Sequence, residues 1–143
     1  MRKNSLVVIF ILASILAVAG CAHLAPAPAK GSEEALRQKV KMEWDAKVRK
    51  NWGVVYDLAV DAYKKKVDRN ILIRRANINV QEFSIKEVQI IEPGRKALAV
   101  VGYRINHMGF DFKVISREEW LWENGDWRLD LTPSLKSPFD KKD

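Results

Sequence analysis

Sulfur and imidazole are scarce in this chain: one cysteine, Cys21, and two histidines, His23 and His107, in 143 residues. One cysteine cannot close an intrachain disulfide, so an exported fold would have to stand on packing alone. So few ligands give no metal-binding spacing. A Ser-His-Asp or Cys-His set would have to use His107, and no nucleophile is placed near it. No cofactor is expected. An apolar run of about 20 residues, the length a spanning helix needs, is also missing. The longest, Leu6 to Ala19, has fourteen. The length suits one domain.

What is present begins with a charged start, Arg2 and Lys3, followed by that apolar run and then by Ala19 and Gly20. Charge, apolar middle and small residues in that order read as a secretion signal over residues 1–20. Without the signal the chain holds 23 basic and 18 acidic residues, a net charge of +5. Residues 21–32 follow as a Pro/Ala tether, and the eleven after Cys21 reach roughly 34 Å at about 3.1 Å per residue in polyproline form. His23 lies in this tether.

The stretch "VAGC" (Val18 to Cys21) resembles the lipobox of bacterial lipoproteins. That resemblance implies cleavage between Gly20 and Cys21 and acylation of Cys21, which becomes the first mature residue. Two or more acyl chains hold stably where one is marginal, at about 0.8 kcal/mol per buried methylene. The implied location is the bacterial cell envelope. Ala22 stands where an inner-membrane retention aspartate would be, so the outer membrane facing the periplasm is favoured. A modestly basic domain suits a position near anionic lipid. Nucleic acid is not an expected partner, since no aromatic–basic module of the usual kinds is present.

The domain proper spans residues 33–132. Leu36, Val40, Trp44 and Val48 recur every four residues, and Ser32 with Glu33 and Glu34 behind it suits a helix start. Asn51 offers a cap for a second helix over "WGVVYDLAVDAYKKKV", whose Trp52, Val55, Tyr56, Ala59 and Tyr63 keep helical spacing. A short third helix is expected in "DRNILIRRANINV". Beyond Gln81 the period changes to two, giving four strands: "FSIKEVQII", "KALAVVGYRIN", "FDFKVISREEWLWE" and "DWRLDL".

Asn124-Gly125 is a strong two-residue hairpin signal. It sets Glu123 opposite Asp126, Trp122 opposite Trp127, Trp120 opposite Leu129 and Glu118 opposite Leu131. A turn at Met108-Gly109 sets His107 opposite Phe110, Ile105 opposite Phe112, Tyr103 opposite Val114 and Val101 opposite Ser116. Both turns put Phe110, Phe112, Val114 and Trp120 on one apolar face. The parity slip between Phe83/Ile85 and Val88/Ile90 is expected to be a bulge.

Helices followed by a bent antiparallel sheet define an α+β fold. "NWGVVYDL" and "WLWENGDWRL" in that order resemble the nuclear transport factor 2-like superfamily, which implies a cone with the sheet curled around the helices. Members of that family include isomerases, dehydratases and non-catalytic envelope proteins, so the resemblance implies fold and leaves function open. Residues 133–143 are expected to be a polar tail, with Phe139 docking back.

Three residues could line a pocket inside the cone: Tyr103, Ser116 and Glu118. Both registers put Glu118 on the apolar face, where a desolvated carboxylate could serve as a general acid or base. The plainer alternatives are a second bulge at Arg117-Glu118-Glu119 or an ion pair with Lys86. The family isomerases use an aspartate base with a tyrosine and a protonated carboxyl, and no acid here matches that pattern. Tyr56 and Tyr63 read as core. Lys64, Lys65, Lys66, Arg69, Arg74 and Arg75 form a candidate contact surface for lipid headgroups, cell-wall polymer or an acidic envelope protein. The expected function is a lipid-anchored binding or assembly module. The alternatives are an apolar small-molecule carrier and an isomerase- or dehydratase-like enzyme.

Overall fold

In the computed structural model, residues 29–135 are described. The expected signal peptide, Cys21 with its cleavage site, His23 and the tail beyond Leu135 lie outside them. The element order is α1 (Glu33–Val48), α2 (Trp52–Leu58), α3 (Asp61–Lys64), α4 (Arg69–Arg75), β1 (Val80–Glu92), β2 (Lys96–His107), β3 (Phe110–Glu123) and β4 (Asp126–Leu129). The strands form one antiparallel sheet in the order β1-β2-β3-β4, with helices packed on it. The fold is α+β.

Ser32 caps α1 by accepting from the Ala35 amide at 3.1 Å, and Glu33 and Glu34 sit at the positive end of the helix. Leu36, Val40 and Trp44 are fully buried against the sheet. Asn51 occupies the cap position of α2 but makes no side-chain cap bond. The single second helix expected from spacing does not form. Ala59 and Val60 are extended: Ala59 bridges Leu129 in parallel, and the Val60 amide donates to the Leu129 carbonyl at 3.0 Å. Both are fully buried, so tertiary contact has overridden local helical preference there. The third helix, α4, forms with Asp68 as its cap.

Both hairpins take the expected registers. Met108 and Gly109, and again Asn124 and Gly125, have positive φ, the mirror-image turn that matches the twist of paired strands. The β2–β3 ladder runs without a slip from His107↔Phe110 to Lys96↔Leu121, so there is no bulge at Arg117-Glu118-Glu119. A register shift between Ile85 and Glu87 is the expected bulge in β1, and two more lie near the ends of that strand. β4 stops at Leu129, so Glu118 does not pair with Leu131. The Asp130 carboxylate instead turns the chain by accepting from the Thr132 amide at 2.9 Å and its hydroxyl at 2.6 Å.

The core gathers Trp44, Trp120, Trp127, Leu129, Ala97, Ala99 and Val101 between α1 and the sheet. Trp122 is half-buried, edge-on to Trp127 at 5.1 Å. Phe110 and Phe112 share the inward parity yet are 69% and 49% exposed, as that end of β3 lies beyond the α1 contact at Glu118. A second small cluster, Ala59, Val60 and Tyr63, packs on Leu121, so the face expected to be solvated is partly covered.

Candidate functional site

Chemistry concentrates where α1 crosses β3. Glu118 is nearly buried, and the Trp44 indole N–H donates to its Oε2 at 3.1 Å. The Lys47 ammonium donates to its Oε1 at 3.2 Å, and the Ser116 hydroxyl donates to the same oxygen at 3.4 Å. Lys47 also contacts Glu43, which has no exposed surface at all. The ammonium lies 3.9 Å from the centroid of the Trp44 ring, a cation–π contact. Trp44 in turn packs on Tyr103, with ring centroids 4.6 Å apart.

One lysine between two buried carboxyls can neutralise only one of them. Glu43, the more deeply buried of the two, is pushed towards its protonated form. Burial first, then the opposing pull of Lys47, and then the neighbouring Glu118 charge set its pKa at about 8, far above the ordinary 4.5. Its Oε2 has no hydrogen-bond partner. For Lys47, burial alone would lower the pKa, but Glu43 and Glu118 outweigh it and the net shift is upward. The cluster ties α1 to β3. Glu118 is thus paired with Lys47 from the first helix, not with Lys86.

The three expected pocket residues meet around Trp44 without enclosing a cavity: Tyr103 packs on its ring, Glu118 accepts from its indole N–H, and Ser116 donates to Glu118. A surface hollow of about 520 Å³ lies across β1, β2 and β3, lined among others by Phe83, Lys86, Tyr103, Arg104, Lys113 and Ile115. The hollow lies on the face of the sheet away from α1, where the Ser84, Lys86 and Ile115 side chains surround Gly102, while the Tyr103 ring turns the other way onto Trp44. Ser116 and Glu118 are turned into the Trp44–Lys47 contact. Gly102 keeps this hollow open. A Cβ there would come within 2.9 Å of the Lys86 side chain.

The basic cluster divides in two. Lys64 donates to the Asp57 carbonyl at 2.9 Å, and the Arg69 guanidinium approaches the Asp57 carboxylate at 3.4 Å while lying over Gly53. Lys65, Lys66, Arg74 and Arg75 are exposed to solvent. Tyr63 is buried, and Tyr56 donates from its hydroxyl to the Val67 carbonyl at 2.9 Å, so both serve packing. His107 is exposed beside its turn. Among the described residues, no group of three His, Cys, Asp or Glu could hold a metal, and no helix is long and apolar enough to cross a membrane.

The residue that sequence reading missed is Glu43. It lies three after Val40 and seven after Leu36, on the buried side of α1, and Lys47 follows it at the four-residue spacing of a helical ion pair. That spacing was the available signal.

No family model matches the chain, and no curated protein matches it in sequence. Solved structures do. A SEC-C motif containing protein from Rhodopseudomonas palustris, determined in solution, superposes with a TM-score of 0.57 at 12% identity, over 69% of this chain and 77% of that one. The crystal structure of a SEC-C motif containing protein from Psychrobacter arcticus gives a TM-score of 0.57 at 8% identity, over 82% of this chain and 66% of that one. At such identities the likeness concerns the fold alone. These neighbours are described by their SEC-C motif and not as nuclear transport factor 2-like proteins.

Proposed function

We propose that this chain is a lipid-anchored protein of the bacterial envelope, held by acyl groups on Cys21, whose α+β domain is a nuclear transport factor 2-like cone acting by binding or assembly. The supporting observation is how the interior acids are used. Glu43 and Glu118 are committed to Lys47 and Trp44, and neither lines the hollow over Gly102. The exposed cations Lys65, Lys66, Arg74 and Arg75 supply a surface for anionic envelope partners. A second reading, a small-molecule carrier, draws on the outer-face hollow over Gly102, with Lys86 and Lys113 in its polar lining.

The anchor is tested by metabolic labelling with a fatty acid. Wild type takes up label and partitions with membranes, and Cys21→Ser does neither. Label kept by the mutant overturns the assignment. The surface is tested by exchanging Lys64, Lys65 and Lys66 for Glu and comparing what co-purifies from solubilised envelope. An unchanged set of partners removes the basic surface from the account.

A further inference from the structure

The third strand has a free side. β4 covers only Trp120 to Glu123 of β3, and the last ladder bond runs from the Asp130 amide to the Glu119 carbonyl at 2.9 Å. From Phe110 to Glu118 no strand lies against that side among the described residues. Which backbone groups face it follows from the hairpin. The Trp122 amide donates to the Arg95 carbonyl on the β2 side, and a two-residue turn joins Glu123 to Asp126. Even-numbered residues of β3 therefore bond to β2, while Asp111, Lys113, Ile115 and Arg117 aim N–H and C=O at the open side. An open edge of this length is a template for another strand.

We propose that the occupant is a second copy of this chain, with β3 antiparallel to the partner's β3 about a two-fold axis at Val114. In that register Asp111 faces the partner's Arg117, twice by symmetry, and Lys113 faces the partner's Ile115. The charge pattern selects it. An axis at Lys113 sets that lysine against itself. An axis at Ile115 sets Lys113 against Arg117 and Asp111 against Glu119. Like charges directly opposite repel. An axis between residues pairs odd with even positions and misdirects the backbone groups. An axis at Phe112 matches charge but runs into the Met108-Gly109 turn, leaving only Phe110 to Val114 to pair.

Asp111 already accepts from the Asn106 amide group at 2.8 Å and lies 3.6 Å from Arg104. A carboxylate has about four lone-pair sites, so room remains for an arginine from across the axis. Ile115, 54% exposed, and Phe112 gain cover in the pair. The interface is isologous and joins two four-stranded sheets into one. It is independent of the anchor at Cys21.

The test is disulfide trapping in the full chain. Val114 would sit opposite itself in a non-hydrogen-bonded pair, with Cα atoms about 4.5 Å apart, within disulfide reach. Val114→Cys should give a dimer on non-reducing gels well above wild type. Phe112→Cys, whose copies are displaced along the strand, should not. Adding Arg117→Asp should lower the trapped fraction about ten-fold, the effect of two cross-strand charge pairs turned repulsive, and Asp111→Arg beside it should restore trapping. Ile115→Pro removes a donor on the open side and leaves the β2–β3 ladder intact, so trapping should fall with an unchanged circular dichroism spectrum. Equal trapping at positions 112 and 114, or indifference to Ile115→Pro, overturns the proposal. So does trapping that appears only after residues 136–143 are deleted, because the chain's own end would then hold the edge.

Discussion

The two ends of one sheet have opposite fates. At one end Ala97, Ala99, Trp120 and Trp127 have almost no exposed surface. At the other Ile105 is half-buried, while Phe110 and Phe112 stand largely in solvent. Strands, alternation and inward parity are shared, and only helical cover differs. α1 starts beside Trp122, which contacts Gly31, and ends at Lys47 against Glu118. Alternation tells which face turns inward. The reach of a helix decides how far along that face burial extends.

The sharpest way to break this comparison is to cut one aromatic from each end. Trp120→Ala should lower unfolding free energy by about 4 kcal/mol, as expected for a fully buried ring. Phe110→Ala should change it by no more than about 0.5 kcal/mol, as at surface sites. Urea titrations read both, and comparable losses would mean that the far end is covered. The next test is at the join between the two ends. Lys47→Met leaves the buried Glu118 carboxylate without its counter-charge and should destabilise by about 3 kcal/mol, the range for removing one partner of a buried ion pair. Little change in the urea midpoint would show that the cluster does not hold α1 to β3.

The last test is of pH dependence. The Glu43 carboxyl has its pKa at about 8 in the fold and 4.5 as the ordinary value, so between those limits the folded state keeps a proton that the unfolded chain has released. Stability therefore falls as pH rises from about 4.5 towards 8. The upward shift at Lys47 adds a further loss in strongly alkaline solution. Glu43→Gln mimics the protonated form and should flatten the profile between pH 5 and 8 in thermal melts. A slope that survives the substitution assigns the proton elsewhere.

Much of the sheet was legible in the sequence because hairpin turns are local. Asn124-Gly125 and Met108-Gly109 dictate their own φ values, and register follows by counting outward. The parity slip near Ile85 was legible for the same reason. The break at Ala59-Val60 was not, since it depends on Leu129, some seventy residues later, drawing those residues out of the helix. Glu118 was correctly placed on the inner face, but its partner was not Lys86. Trp44 reads as one more apolar residue on a stripe, and nothing in a stripe says that its indole N–H will aim at a carboxylate. Glu43 went unseen because a glutamate beside an apolar line reads as a solvated flank until its lysine is noticed. The hollow on the outer face was not legible either, as it depends on Lys86 and Ile115 standing around a residue without a side chain, Gly102, on a neighbouring strand.

The parallel bridge between Ala59 and Leu129 also bears on synthesis. A polypeptide leaving the ribosome presents its helical half long before Leu129 emerges, so Ala59 and Val60 must wait for their partner until translation of the domain is almost over. That one seam between the helical half and the sheet closes last.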